Sequence, residues 1–127
     1  MKPLPYLLVF IFLMQISNGI MINEIMYNPA GTDSNKEFIE IYHIPWTNLT
    51  GYYISDTKKN ESLILININK SSNYSLIIED DSILNLPNVT IYVTDSTLGF
   101  DELNNDETVI LFDNLLNLVD SVKINSS

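Results

Sequence analysis

The chain of 127 residues has no cysteine and no arginine, one histidine, one tryptophan and four glycines. Without cysteine there is no disulfide, no thiol nucleophile and no Cys-ligated zinc or iron–sulfur centre. Without arginine, and with Lys58-Lys59 as its closest basic pair, the chain offers no cationic cluster for phosphates. Its formal charge is −10, so direct binding of DNA or RNA is not expected. A single histidine, His43, cannot make a His-x-x-x-His pair, and no Ser-His-Asp order with loop support is visible. His43 reads as a lone surface or strand-end residue. The glycines at 19, 31, 51 and 99 are isolated, so no phosphate-cradling loop exists. No apolar run approaches the roughly 20 residues that span a bilayer.

What is present divides in two. Residues 1–19, MKPLPYLLVFIFLMQISNG, begin with Lys2, continue through an apolar run from Tyr6 to Met14, and end in polar and small residues. Ser17 and Gly19 stand at −3 and −1 for a cut before Ile20, the order of a secretory signal. Residues 20–127 then form one domain. Any membrane attachment would come from the signal segment itself or from sequence beyond Ser127. The expected location is secreted or at the cell surface.

All 16 acids lie at or beyond Glu24. Acidity does not imply disorder here, because 46% of the residues are hydrophobic and apolar runs continue to the end. The runs are short and rich in Ile, Val, Leu, Tyr, Phe and Thr, which predicts strands. They cover 20–27, 37–42, 49–56, 62–68, 74–79, 89–95, 106–113 and 117–124. Gly51 is expected to bulge or kink the third. Lys58-Lys59-Asn60 reads as a polar turn. About eight strands in one domain is the density of a sandwich or small barrel, hence an all-β fold.

Glu37 and Glu40 sit at odd separation in one strand, so they face opposite ways and cannot form a local acid/base pair. With Glu24 they read as charge that solubilises a strand edge. The acidic stretch 95–107 offers Asp101, Glu102, Asp106 and Glu107, oxygen ligands of the kind that suit Ca²⁺. Its spacing lacks the EF-hand pattern and the central glycine, so a solvated loop is the plainer reading. No other cofactor is indicated. Trp46, Tyr52 and Tyr53 could form an aromatic ligand patch, with one of the two tyrosines packed in the core. Six N-x-[ST] sequons, at Asn48, Asn60, Asn69, Asn73, Asn88 and Asn125, are an excess over random order and mark possible glycosylation.

Three motifs in order carry a family resemblance. Asn23-Glu24-Ile25 is followed by Glu37-Phe38-Ile39-Glu40-Ile41-Tyr42, then by Leu49-Thr50-Gly51-Tyr52-Tyr53-Ile54-Ser55-Asp56. Together with the closing stretch NNDETVILFDNLLNLVDSV, they resemble the lamin-tail domain of secreted microbial proteins. Asp106 stands where that family usually has glycine, and His43 where asparagine is common. The middle of the chain matches only as strands. The INEI stretch breaks clean alternation, so a bulge near Asn23-Glu24 is expected in the first strand. The resemblance implies an immunoglobulin-like β-sandwich. It implies no catalytic or cofactor residue.

The expected function is an exported, non-catalytic binding or interaction module with a protein or glycan partner. The alternatives are a self-assembling surface or envelope component, marked by an exposed strand edge or apolar patch, and an accessory domain of a larger secreted hydrolase.

Overall fold

The computed structural model describes residues 19–27, 37–79, 88–94 and 106–125. Most of the signal-like segment, the Asn28–Asn35 connection, Asp101 and Glu102 therefore lie outside the described residues.

Two sheets pack face to face. The first has the order β1-β2-β6-β7-β5, built from Met21–Met26, Phe38–Tyr42, Tyr74–Ile78, Thr90–Val93 and Ile64–Asn67. The second has the order β4-β3-β8-β9, built from Asn60–Ser62, Tyr53–Ser55, Thr108–Phe112 and Leu118–Lys123. All pairings are antiparallel except β6 with β7. The all-β expectation is met, as a β-sandwich with one parallel pair.

Period-two alternation explains the core. Ile39 and Ile41 of β2, Ile77 of β6 and Tyr92 of β7 point inward, against Ile54, Val109 and Leu111 of the facing sheet. The opposite face of the first sheet is apolar too, with Leu76, Ile78, Ile91 and Val93 buried. Strands buried on both faces read as continuous Ile/Leu/Val runs, as β6 does. The register of β1 on β2 shifts between Ile22 and Glu24, which is the expected bulge.

Several expectations are corrected. The stretch 62–68 is not one strand. Asn60–Ser62 pairs with β3 in one sheet and Ile64–Asn67 pairs with β7 in the other. The Lys58-Lys59-Asn60 turn thus ends in a strand, and the chain changes sheets at Leu63. That residue is buried, accepts a hydrogen bond from Gly51 N–H at 3.3 Å and donates one to Tyr52 O at 2.8 Å. The third predicted strand is correspondingly short. Gly51 adopts φ +81 in a turn, a conformation that glycine enters freely, and β3 starts only at Tyr53. Glu37 is also not a solubilising edge charge. It is in phase with Ile39 and Ile41, and it is buried.

The open sides of the sandwich close differently. On one, the chain itself passes between sheets at Leu63. On the other, the edge strands β1 and β9 touch. There Asp120, on the inner face of β9, accepts a 2.7 Å hydrogen bond from Ile22 N–H. Asp106 adopts φ +68, a left-handed conformation that glycine enters freely and that Asp tolerates. Its N–H donates to Ile124 O at 2.8 Å, so the start of the closing hairpin is held.

Candidate functional site

The inner face of β2 continues past Tyr42 to His43, again in phase with Ile39 and Ile41. His43 is 2% exposed, not a surface residue. Its Nδ1 lies 2.8 Å from Ile44 O, which can only accept, so Nδ1 carries the proton. Nε2 then accepts from Ser75 Oγ at 2.7 Å. A serine and a histidine in this tautomer have the contact of a nucleophile and its base. Ser75, however, is completely buried, and a nucleophile needs room for a substrate carbonyl. The pair instead satisfies two polar groups inside the sandwich. The inward phase of the β2 alternation was the signal that could have placed His43.

This polar end of the interior opens onto a cavity of about 190 Å³ lined by His43, Trp46, Thr47, Asn48, Lys70 and Thr90, among others. The loop after β2 forms one wall and the turn between β5 and β6 the other. Trp46 N–H donates to Lys70 O at 2.9 Å, and Thr90 Oγ1 donates to Asn69 O at 3.1 Å, which hold the walls together. The cavity falls below the ~300–1,000 Å³ of clefts that enclose drug-sized ligands. It has room for one ring or one side chain.

Trp46 stands at its mouth, 74% exposed and at φ +70. A left-handed backbone costs a bulky residue roughly 1–2 kcal/mol. Lys70 Nζ lies 5.6 Å from the ring centroid. Tyr52 and Tyr53 do not join Trp46 in a patch. Tyr52 packs against the core, as expected of one of them. Burial chiefly, with Asp113 nearby, pushes its phenol above the usual value of 10.0.

The hairpin between β8 and β9 presents a second strained apolar residue. Leu115, Leu116 and Leu118 are all exposed, and Leu116 has φ +62. The turn is ordered by Asp113, whose Oδ1 accepts from Leu115 N–H and Asn117 N–H at 2.9 Å each. The Asn117 N–H, with lesser help from the Asn117 amide and Leu115 N–H, holds the Asp113 carboxyl below the ordinary range. Substituting Leu116→Asn keeps the turn and relieves the left-handed strain. Stability should rise by about 1 kcal/mol. A lower melting temperature would show instead that the leucine side chain packs.

The third feature is β5 itself. It is an edge of the five-stranded sheet, and residues 62–69 carry no charge. Ile64, Ile66 and Ile68 each expose more than half their surface. The opposite edge of the same sheet, β1, carries exposed Asn23 and Glu24.

The other sequence candidates scatter. Glu24 and Glu40 are register partners on β1 and β2, and Asn23 Nδ2 donates to Glu40 Oε1 at 2.7 Å. Asp106 is exposed, and Glu107 lies 3.9 Å from Lys58 Nζ. Among the described residues, no group of three or more Asp, Glu or His is placed to hold a metal ion. The six sequon asparagines are all described. Asn48, Asn60, Asn88 and Asn125 are exposed, and Asn69 and Asn73 are partly covered.

No protein-family model, curated protein or solved structure matches the chain.

Proposed function

We propose that this chain is an exported, non-catalytic interaction module of lamin-tail type, with an immunoglobulin-like arrangement of its sheets. The signal-like composition of residues 1–19 supports export. The three motifs that resemble the family fall on β1, on β2 with its flanks, and on the turn leading into β3. The burial of Ser75 and His43 favours a structural use for this pair.

The observation that carries the reading is β5. An unpaired sheet edge presents backbone donors and acceptors that another strand can satisfy. Natural edges are usually protected by charge, as β1 is by Glu24. The β5 edge has no charge and displays three isoleucines, the composition suited to strand addition. The partner is an extended segment of another protein, apolar at alternate positions and free of net negative charge, since the chain itself carries −10. A second reading, self-assembly through the same edge, draws on the same exposed isoleucines.

The test uses a synthetic peptide copying residues 62–69 and the full chain with and without Ile66→Lys. Binding of the peptide to a monomeric protein, lost on substitution, supports the module. Concentration-dependent dimerisation lost on substitution supports self-assembly. A protein that stays monomeric and ignores the peptide overturns the β5 reading.

A further inference from the structure

Of the six sequons, Asn48 sits beside the exposed indole of Trp46. Trp46 precedes Asn48 by two residues, and both line the same cavity. Asn48 Oδ1 accepts from Thr50 N–H at 2.9 Å, a turn that spans the sequon Asn48-Leu49-Thr50 itself. Asn48 is exposed, and its Nδ2, the atom that a sugar would join, makes no hydrogen bond among the described residues. Two other sequons are occupied by the fold. Asn69 Nδ2 donates to Asn88 O at 2.8 Å, and Asn73 Nδ2 donates to His43 O at 3.1 Å. The hydroxyl of the Asn73 sequon, Ser75, is buried against His43.

We infer that Asn48 is the principal N-glycan acceptor, and that the indole of Trp46 is the platform on which the first sugar of that glycan lies. A pyranose ring has an apolar C–H face. Laid on an aromatic ring it removes both surfaces from water and gains dispersion contacts. The cavity has room for one ring. This accounts for two features that the sandwich does not need: a bulky residue at positive φ and an indole left in water. Such strain persists where the surroundings fix it, and it concentrates at functional positions. Thr47 and Lys70 fix it here, through Thr47 Oγ1 donating to Ile44 O at 2.7 Å and the Trp46 N–H bond to Lys70 O. Lys70 Nζ lies over the indole, and most of the residue's surface remains open to the sugar.

The inference rests on the export reading, because this modification reaches only chains that enter a secretory route. The experiment supplies export independently. The full chain is produced behind a host leader in a secreting cell that attaches N-glycans. Site occupancy is read by glycopeptide mass spectrometry. Asn48 should be the most fully occupied sequon, and Thr50→Ala should empty it. The secreted protein is then trimmed to single sugars, or stripped completely, and both forms are melted. The single-sugar form should melt a few degrees higher in the wild type, with no such difference in Trp46→Ala. Each comparison is made within one variant, so any effect of the substitution on folding cancels. Trp46 is the sole tryptophan, so its emission should shift to the blue when the sugar is present. An empty Asn48, or a stabilisation that survives in Trp46→Ala, would overturn the inference. Neither result would bear on whether the chain's own first residues direct export.

Discussion

Truncating Leu63 to alanine lowers stability by about 2–5 kcal/mol, the range for emptying a closely packed leucine site. For a domain of this size that is a fall in melting temperature of roughly 10 °C or more. The side chain is buried in the core at the one residue where the chain passes from one sheet to the other. Its backbone bonds to Gly51 and Tyr52 tie the passage to the turn before β3. A cavity here loosens a strand in each sheet, and the site has little freedom to collapse. Leu65, half-buried two residues on, is the internal comparison and should lose less as alanine. Urea unfolding of both variants decides the matter. An equal loss would mean that the passage is no more sensitive than any other core position.

Tyr92→Phe removes a single oxygen and is expected to cost about 1–3 kcal/mol, because it orphans a buried donor. Tyr92 is 1% exposed, and its hydroxyl accepts a 2.8 Å hydrogen bond from Leu49 N–H. Phenylalanine fills the same space and leaves that N–H without a partner. The substitution has a second readout in pH. Burial, the largest cause, raises the ionisation of Tyr92 above its ordinary value of 10.0, against the lowering effect of the Leu49 bond. The unfolded chain therefore releases this proton first. Stability is at its full value below about pH 10 and falls as pH climbs past it towards the folded value. Tyr92→Phe should be less stable at pH 8 and should show a shallower alkaline decline. Tyr52, which is also raised, contributes to the slope that remains. Denaturant midpoints measured from pH 8 to 11 test both claims. An unchanged slope would show that Tyr92 does not carry the alkaline loss.

The strands were legible in the sequence because each is a local property. A run such as YSLII needs only β-branched and aromatic side chains to be recognised. The β1 bulge was legible from a break in phase at Asn23-Glu24. The passage at Leu63 was not, because alternation tells which face a residue takes and not which sheet it joins. Glu37 and His43 are obscured for a related reason. Polarity points each to the surface, although period two from Ile39 and Ile41 sends both inward. Trp46 stood out by type alone. Its left-handed backbone and the cavity it shares with Asn48 depend on the turn between β5 and β6, more than twenty residues away, which no local pattern reports. The exposed apolar edge of β5 was likewise invisible, since LILINI reads the same in a central strand as at an edge.

The bond from Ile22 N–H to Asp120 joins residues 98 positions apart. A chain that leaves the ribosome, or a narrow pore, amino end first delivers its ninth strand last. Until then β1 lacks the carboxylate that holds it to the second sheet, and β8 has only β3 beside it. Folding dominated by such distant pairings is slow. The four-stranded sheet therefore completes itself only once β9 has emerged, whereas the five-stranded sheet that holds β5 has its last strand by Val93.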